Sequence, residues 1–225
     1  MSVLSSQTLF HFTSSLENLK SILSGGIRYG MFAEKLPKGK LAYFVRGISF
    51  CNIPLSMISE HVDWYGTYAL GLKRSKIREM GGSPVFYVHS DTKMFPGGQG
   101  AISVLLNNPF LCYLKQHLGY QYHKSEGKYR LKKFYDEKEW RLFVGTPSIE
   151  RYTNQTDLEN IRKRNEGKAP VQVPLTILPD MIEYIILEKP NDFVDFDTFL
   201  KKNFPAQRDD LLTKILYYTQ IKRDF

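Results

Sequence analysis

The residues best placed to do chemistry lie between Lys133 and Gly145, in the segment KFYDEKEWRLFVG. Read as a strand, it alternates: Trp140, Leu142 and Val144 point one way, and Tyr135, Glu137, Glu139, Arg141 and Phe143 the other. Glu137 and Glu139, at i and i+2, would then share a face at about 7 Å. Paired carboxylates held by a rigid strand suit hydroxyl recognition or general-base catalysis. The competing reading is a half-buried strand whose outer face is solvated, with Glu139 and Arg141 as surface charges. Short motifs discriminate weakly, so the segment alone favours the second reading.

The elements that must position such a pair are short. LFHFT (Leu9–Thr13) reads as an aromatic strand that sets Phe10 and Phe12 against Leu9, His11 and Thr13. A helix follows, with Ser14 at capping-box spacing from Glu17, apolar Leu16, Leu19, Ile22 and Leu23, and Gly25 or Gly26 at its C-cap. Ile27–Lys40 reads as a loop; Leu41–Val45 and Gly47–Cys51 read as strand, with Arg46 between them. Pro54 opens a helix that carries His61 and runs into Trp64, Tyr65 and Gly66. Thr67–Leu72 and Pro84–His89 read as strands, Phe95–Gly100 as a turn-rich loop, Ala101–Leu118 as helix and Tyr120–Tyr129 as a polar loop. The hydrophilic stretch Glu150–Ala169 reads as an insertion or lid, with a charged helix at Leu158–Arg164. Strands at Val171–Val173 and Tyr184–Leu187, a helix at Phe196–Asn203 and a helix-to-strand segment at Lys214–Ile221 complete the chain. Without βαβ alternation, this order predicts a single α+β domain over residues 1–225, with a split or curved sheet and flanking helices.

Composition narrows the function classes. The 225 residues include 15 Phe and 14 Tyr, a surplus that favours strands and aromatic-lined clefts. No apolar run of about 18 residues and no signal-peptide pattern occurs, so the expectation is a soluble, cytoplasmic protein with no membrane partner. Cys51 and Cys112 make no disulfide framework and show no metal-ligand spacing. Gly-rich phosphate fingerprints and serine nucleophile elbows are absent too. The net charge of +8 gathers at Lys35, Lys38 and Lys40, at Lys73–Arg78, at Lys128–Lys133 and at Arg162–Arg164, which suits a phosphate-bearing partner.

The opening LFHFTSSLENLKSILSGGI resembles ADP-ribosyltransferase-like proteins, in particular the DNA-modifying DarT toxins. ISFCNIPLSMISEHVDWYGTYALGL, then PVFYV and FYDEKEWRLF, resemble the AbiGi family of abortive-infection phage-resistance proteins. The combined likeness covers most of residues 9–144. It implies an ADP-ribosyltransferase-like core with NAD as substrate. On that resemblance His11 would bind the ribose and Tyr65 would stack on the nicotinamide, with Tyr68 as its substitute. Glu139 would take the ribose 2′-hydroxyl and stabilise the oxocarbenium ion, and Glu137 would meet the acceptor. Thr13 and His61 would complete the NAD-binding set, and Arg46 would hold the diphosphate. No metal is implied. A fixed carboxylate beside a developing cation lowers the barrier electrostatically, so these residue types fit that chemistry.

Three functions follow as expectations. The first is an NAD-dependent ADP-ribosyltransferase of anti-phage defence, modifying DNA or RNA. The second is a non-enzymatic AbiGi-type antitoxin or regulator that binds a partner toxin, or DNA through a basic helix such as Arg162–Arg164. The third is an NAD glycohydrolase. Loss of label transfer from NAD in Glu139→Gln would separate the first from the second.

Overall fold

The computed structural model describes residues 6–36, 42–92, 108–143, 145–165 and 173–224. The elements begin with β1 (Thr8–Thr13), α1 (Leu16–Gly25), β2 (Gly30–Lys35), β3 (Ala42–Cys51), α2 (Ile58–Tyr65), β4 (Tyr68–Lys73) and α3 (Arg74–Glu79). They continue with β5 (Ser83–Pro84), β6 (Phe86–Val88), β7 (Leu114–Gln116), β8 (Leu118–His123), β9 (Lys128–Lys133), β10 (Glu139–Leu142), β11 (Glu150–Arg151) and α4 (Gln155–Asn165). The last are β12 (Ile182–Leu187), α5 (Phe193–Asn203), α6 (Arg208–Leu212), β13 (Ile215–Tyr217) and α7 (Tyr218–Asp224). The class is α+β, as the order of elements predicts. The chain divides into two compact units: Met1–Arg28, Phe50–Met80 and Pro174–Phe225 form the first, Tyr29–Ser49 and Gly81–Val173 the second.

In the first unit β4 is a central strand. It pairs antiparallel with β1, from Thr8↔Lys73 to Thr13↔Tyr68, and antiparallel with β12 on its other side. β13 extends the sheet in parallel with β12, and the end of β3 meets β1 at Phe10↔Cys51. With neighbours on both edges, Tyr68 to Leu72 are all buried instead of alternating. Phe10, Cys51, Ile53, Ile58, Ala69, Ile186 and Ile221 form the core there. Ser15, not Ser14, caps α1 by accepting from the Asn18 amide, and Gly26 takes the positive φ of 83° that ends it. Gly66 closes α2 with φ 108°, and a Cβ there would lie 2.4 Å from the Thr13 carbonyl oxygen. Only glycine permits that close turn into β4.

In the second unit β2 and β3 form an antiparallel pair from Gly30↔Gly47 to Lys35↔Ala42. The loop expected over Ile27–Lys40 is therefore a strand at Gly30–Lys35, because the ten-residue β3 offers it a partner. Lys38 and Lys40 lie outside the described residues. β11 pairs with β3 at Glu150↔Phe44, and α4 sets Leu158 and Ile161 against Phe44 and Tyr152, so the hydrophilic stretch carries a buried stripe of its own. The helix expected over Ala101–Leu118 is absent from its described part. Asn108 caps a 3-10 turn at Pro109–Tyr113, and β7 then pairs in parallel with β6. Phe95–Gly100 and Val171–Gln172 fall outside the described residues. The Tyr120–Tyr129 loop is instead the antiparallel β8–β9 hairpin, turned by Lys124–Gly127 with Gly127 at φ 66°. At the C-terminus the expected helix-to-strand order is reversed, since β13 precedes α7.

Candidate functional site

The Lys133–Gly145 segment is not one strand. Phe134–Glu137 is a 3-10 turn, Lys138 is left-handed (φ 44°, ψ 50°), and only Glu139–Leu142 is extended. A left-handed non-glycine residue costs about 1–2 kcal/mol, and here it folds the chain back so that both carboxylates reach one ammonium. Lys115 Nζ on β7 lies 2.9 Å from Glu137 and 2.6 Å from Glu139. Lys132 on β9 reaches Glu137 at 2.6 Å. Arg141 donates through Nε to Glu139 at 2.7 Å, through Nη1 to the Cys112 carbonyl, and through Nη2 to Glu34 of β2.

Glu34, Lys115, Lys132, Glu137, Glu139 and Arg141 are all buried, and Arg141 has no exposed surface. The solvated-face reading of Glu139 and Arg141 is thus reversed: the polar face points into the unit. Three carboxylates against three cations leave the set neutral, which is the condition for placing such groups in an interior. Aromatic rings cover it. Phe134 lies under both ammonium groups, with Lys115 4.6 Å from its centroid, and Phe32 lies 4.7 Å from the Arg141 guanidinium. The Tyr87 hydroxyl accepts from the Glu139 amide.

Each protonation state follows from its surroundings. Burial opposes charge on Glu139, but Arg141 and Lys115 outweigh it and hold the carboxyl below the usual range. Burial likewise opposes charge on Arg141, and Glu139 and Glu34 overcome it, raising the guanidinium further. Lys132 goes the other way: burial pushes it down to about 8 against the pull of Glu137. From pH 8 to its ordinary value of 10.5, folded Lys132 therefore holds fewer protons than unfolded Lys132, and stability rises with pH. Burial raises Cys112 from 9.0 to about 11, which works in the opposite direction above pH 9. The expected result is a melting temperature that climbs between pH 8 and 9 in the native protein, and no such climb in Lys132→Met.

The remaining candidate residues fall elsewhere. His11, Thr13, His61, Tyr65 and Tyr68 belong to the first unit, whereas Arg46, Glu137 and Glu139 belong to the second. Within the first, His61 and Tyr65 are brought together on α2 with ring centroids 4.5 Å apart, and Phe12 adds a ring 4.9 Å from His61. His11 points its ring at Phe50 on the opposite side of β1 from Phe12. Thr13 stands opposite Tyr68 in the β1–β4 ladder. The Tyr68 hydroxyl donates to Asp192 and Glu188, and burial together with those carboxylates raises its pKa. Arg46 sits on β3 opposite Met31.

Glu34, Lys115 and Lys132 are the residues that sequence reasoning missed. A signal existed for Lys115, a lone charge in the otherwise uncharged run FLCYLKQHLGY. No spacing rule links Glu34 to Arg141 across 107 positions. Among the described residues no group of His, Cys, Asp and Glu could hold a metal ion, and no helix is long and apolar enough to cross a membrane.

Comparison with known proteins adds the biological context. A family model described as "Putative abortive phage resistance protein AbiGi, antitoxin" matches residues 45–188. A curated relative from Lactococcus lactis subsp. cremoris, named abortive phage resistance protein AbiGi, is 25% identical over 230 aligned positions. That alignment covers 81% of this chain and 90% of the relative. No solved structure matches. The expectation of an NAD-dependent ADP-ribosyltransferase modifying nucleic acid is corrected by these findings, since the matching family is described as an antitoxin and neither description names a transferase. The alternative, an AbiGi-type antitoxin or regulator, is the one they favour.

Proposed function

Because this chain belongs to the AbiGi family of abortive phage resistance proteins, we propose that it is the antitoxin of a two-component abortive-infection system and acts by binding a cognate toxin protein. One observation carries the reading. The match to a family described as an antitoxin runs through residues 45–188, and so through the segment that holds Glu137 and Glu139. What supports it physically is the state of those two groups. A carboxylate that is to bind a ligand hydroxyl or accept a proton needs an oxygen within reach of the ligand. Both oxygens of Glu139 receive bonds from Arg141, and one of them also receives the Lys115 ammonium, while each oxygen of Glu137 faces a lysine. Buried charges joined in this way hold strands from distant parts of the chain in register, which is scaffolding work.

The likeness of LFHFT and its following helix to ADP-ribosyltransferases remains, on this reading, a proposal about architecture alone and supplies no reaction. Binding gives an antitoxin all it needs: a complex that covers the toxin's working surface suppresses it in proportion to occupancy.

The test is co-expression. A host carrying the product of the adjacent gene under an inducible promoter is expected to stop growing, and co-expression of this chain to restore growth. The purified proteins are expected to co-elute as one complex without consuming NAD. Growth arrest that persists at matched expression, with no complex formed, would refute the antitoxin reading.

A further inference from the structure

The positive charge of the chain is divided unevenly. In the segments of the first unit Lys and Arg balance Asp and Glu at 13 of each. Of the chain's 31 and 23, the second unit therefore holds 18 against 10, and with them the entire surplus of +8. Its six buried charges cancel, so the surplus belongs to the others. Part of it gathers on the outer face of β2 and α4.

The strands fix that face. β3 lies between β2 and β11, and α4 covers it with Leu158 and Ile161 on Phe44 and Tyr152. At about 100° per residue, Arg162 and Arg164 fall on opposite flanks of this apolar stripe, and Lys163 points away from it. Arg164 bonds Glu150 of β11 at 2.9 Å, so the Arg162 flank looks toward β2. Tyr152 marks the same place, since its hydroxyl donates to the Glu34 carbonyl on β2 at 3.3 Å. Burial raises that phenol to about 12, with Glu34 adding to the rise and the Arg162 charge opposing it. Lys35 follows Glu34 and stands opposite Ala42, so it leaves β2 on the side where Ala33 and Ala42 meet α4.

Lys35, Arg162 and Lys163 are exposed, and among the described residues none of the three side chains has a hydrogen bond or ion pair. A helix C-terminus favours cations on α4, but Lys35 comes from a different element. Glu159 is the one carboxylate on this side of α4, and its oxygen accepts from Gln155 at 3.0 Å. Exposed Thr156 and Asn160 complete the outer side, and no large apolar side chain is exposed on α4 or at the Lys35 end of β2. A protein interface has an apolar centre, and this face has none. Cations with hydroxyl and amide groups among them are what holds a phosphate backbone. We propose that the β2–α4 face of the second unit binds nucleic acid through its phosphates, without reading base sequence. The proposal goes beyond the antitoxin reading and does not depend on it.

The probes are a short labelled DNA duplex of arbitrary sequence, the RNA duplex of the same sequence, and poly-glutamate, each titrated against the full chain. Binding of either duplex is expected, the tighter one naming the backbone that the face takes. Log affinity should fall against log salt with a slope of about −3 for three cations. Lys35→Ala, Arg162→Ala and Lys163→Ala are each expected to reduce that slope by about 1 at an unchanged melting temperature, and Arg162→Lys to keep it. Glu159→Gln is expected to tighten binding about 2- to 5-fold, because it removes the one opposing charge. Lys202 is exposed on α5 of the first unit, and Lys202→Ala is expected to change nothing. Absence of duplex binding by the native chain at low salt would overturn the proposal. So would a native slope and affinity in the triple alanine variant, or equal weakening by Lys202→Ala. Poly-glutamate bound as tightly as the duplexes would assign the face to acidic polypeptides and overturn it too. The antitoxin reading stands or falls separately, on neutralisation of the toxin.

Discussion

Arg141→Met is expected to lower the unfolding free energy by about 3–5 kcal/mol, the range for deleting one partner of a buried charge pair. The substituted side chain fills the space of the guanidinium stem, so the loss comes mainly from charge. Glu139 loses its Nε and Nη2 donors, Glu34 loses its ion pair and the Cys112 carbonyl loses a donor, all at buried positions. The pH dependence identifies the cause. With Arg141 gone, Glu139 becomes costly to ionise, and its folded pKa rises above the ordinary 4.5. The folded variant then binds more protons than the unfolded chain over that interval, so its stability falls as pH rises through it. Denaturant titrations at pH 5 and pH 7.5 should show the larger deficit at pH 7.5. A deficit below about 1 kcal/mol at both values would mean that the six charges contribute little to holding the second unit together. Replacing Glu34, Lys115, Glu139 and Arg141 together by apolar residues of similar volume, which leaves the Lys132–Glu137 pair intact, is expected to recover much of the loss, because the desolvation cost disappears with the charges.

Glu139→Gln is the second large effect, also about 3–5 kcal/mol at neutral pH by the same reasoning. The substitution keeps the shape and removes the charge, leaving Arg141 with Glu34 and Lys115 with Glu137 as their remaining carboxylates. As in the arginine variant the deficit is larger at higher pH, but here the group that titrates is Glu139 of the native protein. Native Glu139 has a folded pKa below its ordinary 4.5. Its contribution is fully present above that value and disappears as pH falls through the lower folded one. The gap between native protein and variant should therefore be constant from pH 6 to 8 and close as the solution is acidified below about 4.5. If the proposed antitoxin function holds, Glu139→Gln, at a temperature where it remains folded, is expected to neutralise the toxin as well as the native chain. A folded variant that fails to neutralise would place Glu139 in function rather than in scaffolding.

Much of the first unit is legible in the sequence because local rules and tertiary demands agree there. LFHFT alternates and is a strand, the leucine spacing from Leu16 to Leu23 is a helix, and glycine stands where α1 and α2 stop. The second unit was less legible. Glu34 and Lys115 are drawn inward by residues far along the chain, and no window of sequence contains that information. The Tyr120–Tyr129 stretch reads as a polar loop because turn and charged residues dominate its composition, although Leu118, Tyr120 and Tyr122 do alternate.

By itself, then, the sequence determined an α+β chain with a positive surplus, an uncommon number of aromatic rings, and a family kinship readable in ordered motifs. Only the tertiary structure decided which way the carboxylates face. A strand's alternation states that two faces differ, but which of them is covered depends on what other segments supply. Here Phe32, Phe134, Lys115, Lys132 and Glu34 supply rings and countercharges, so the polar face is the one turned inward. Burial of charge is a collective property: it becomes affordable only when every partner arrives together, and that condition exists in the folded chain alone.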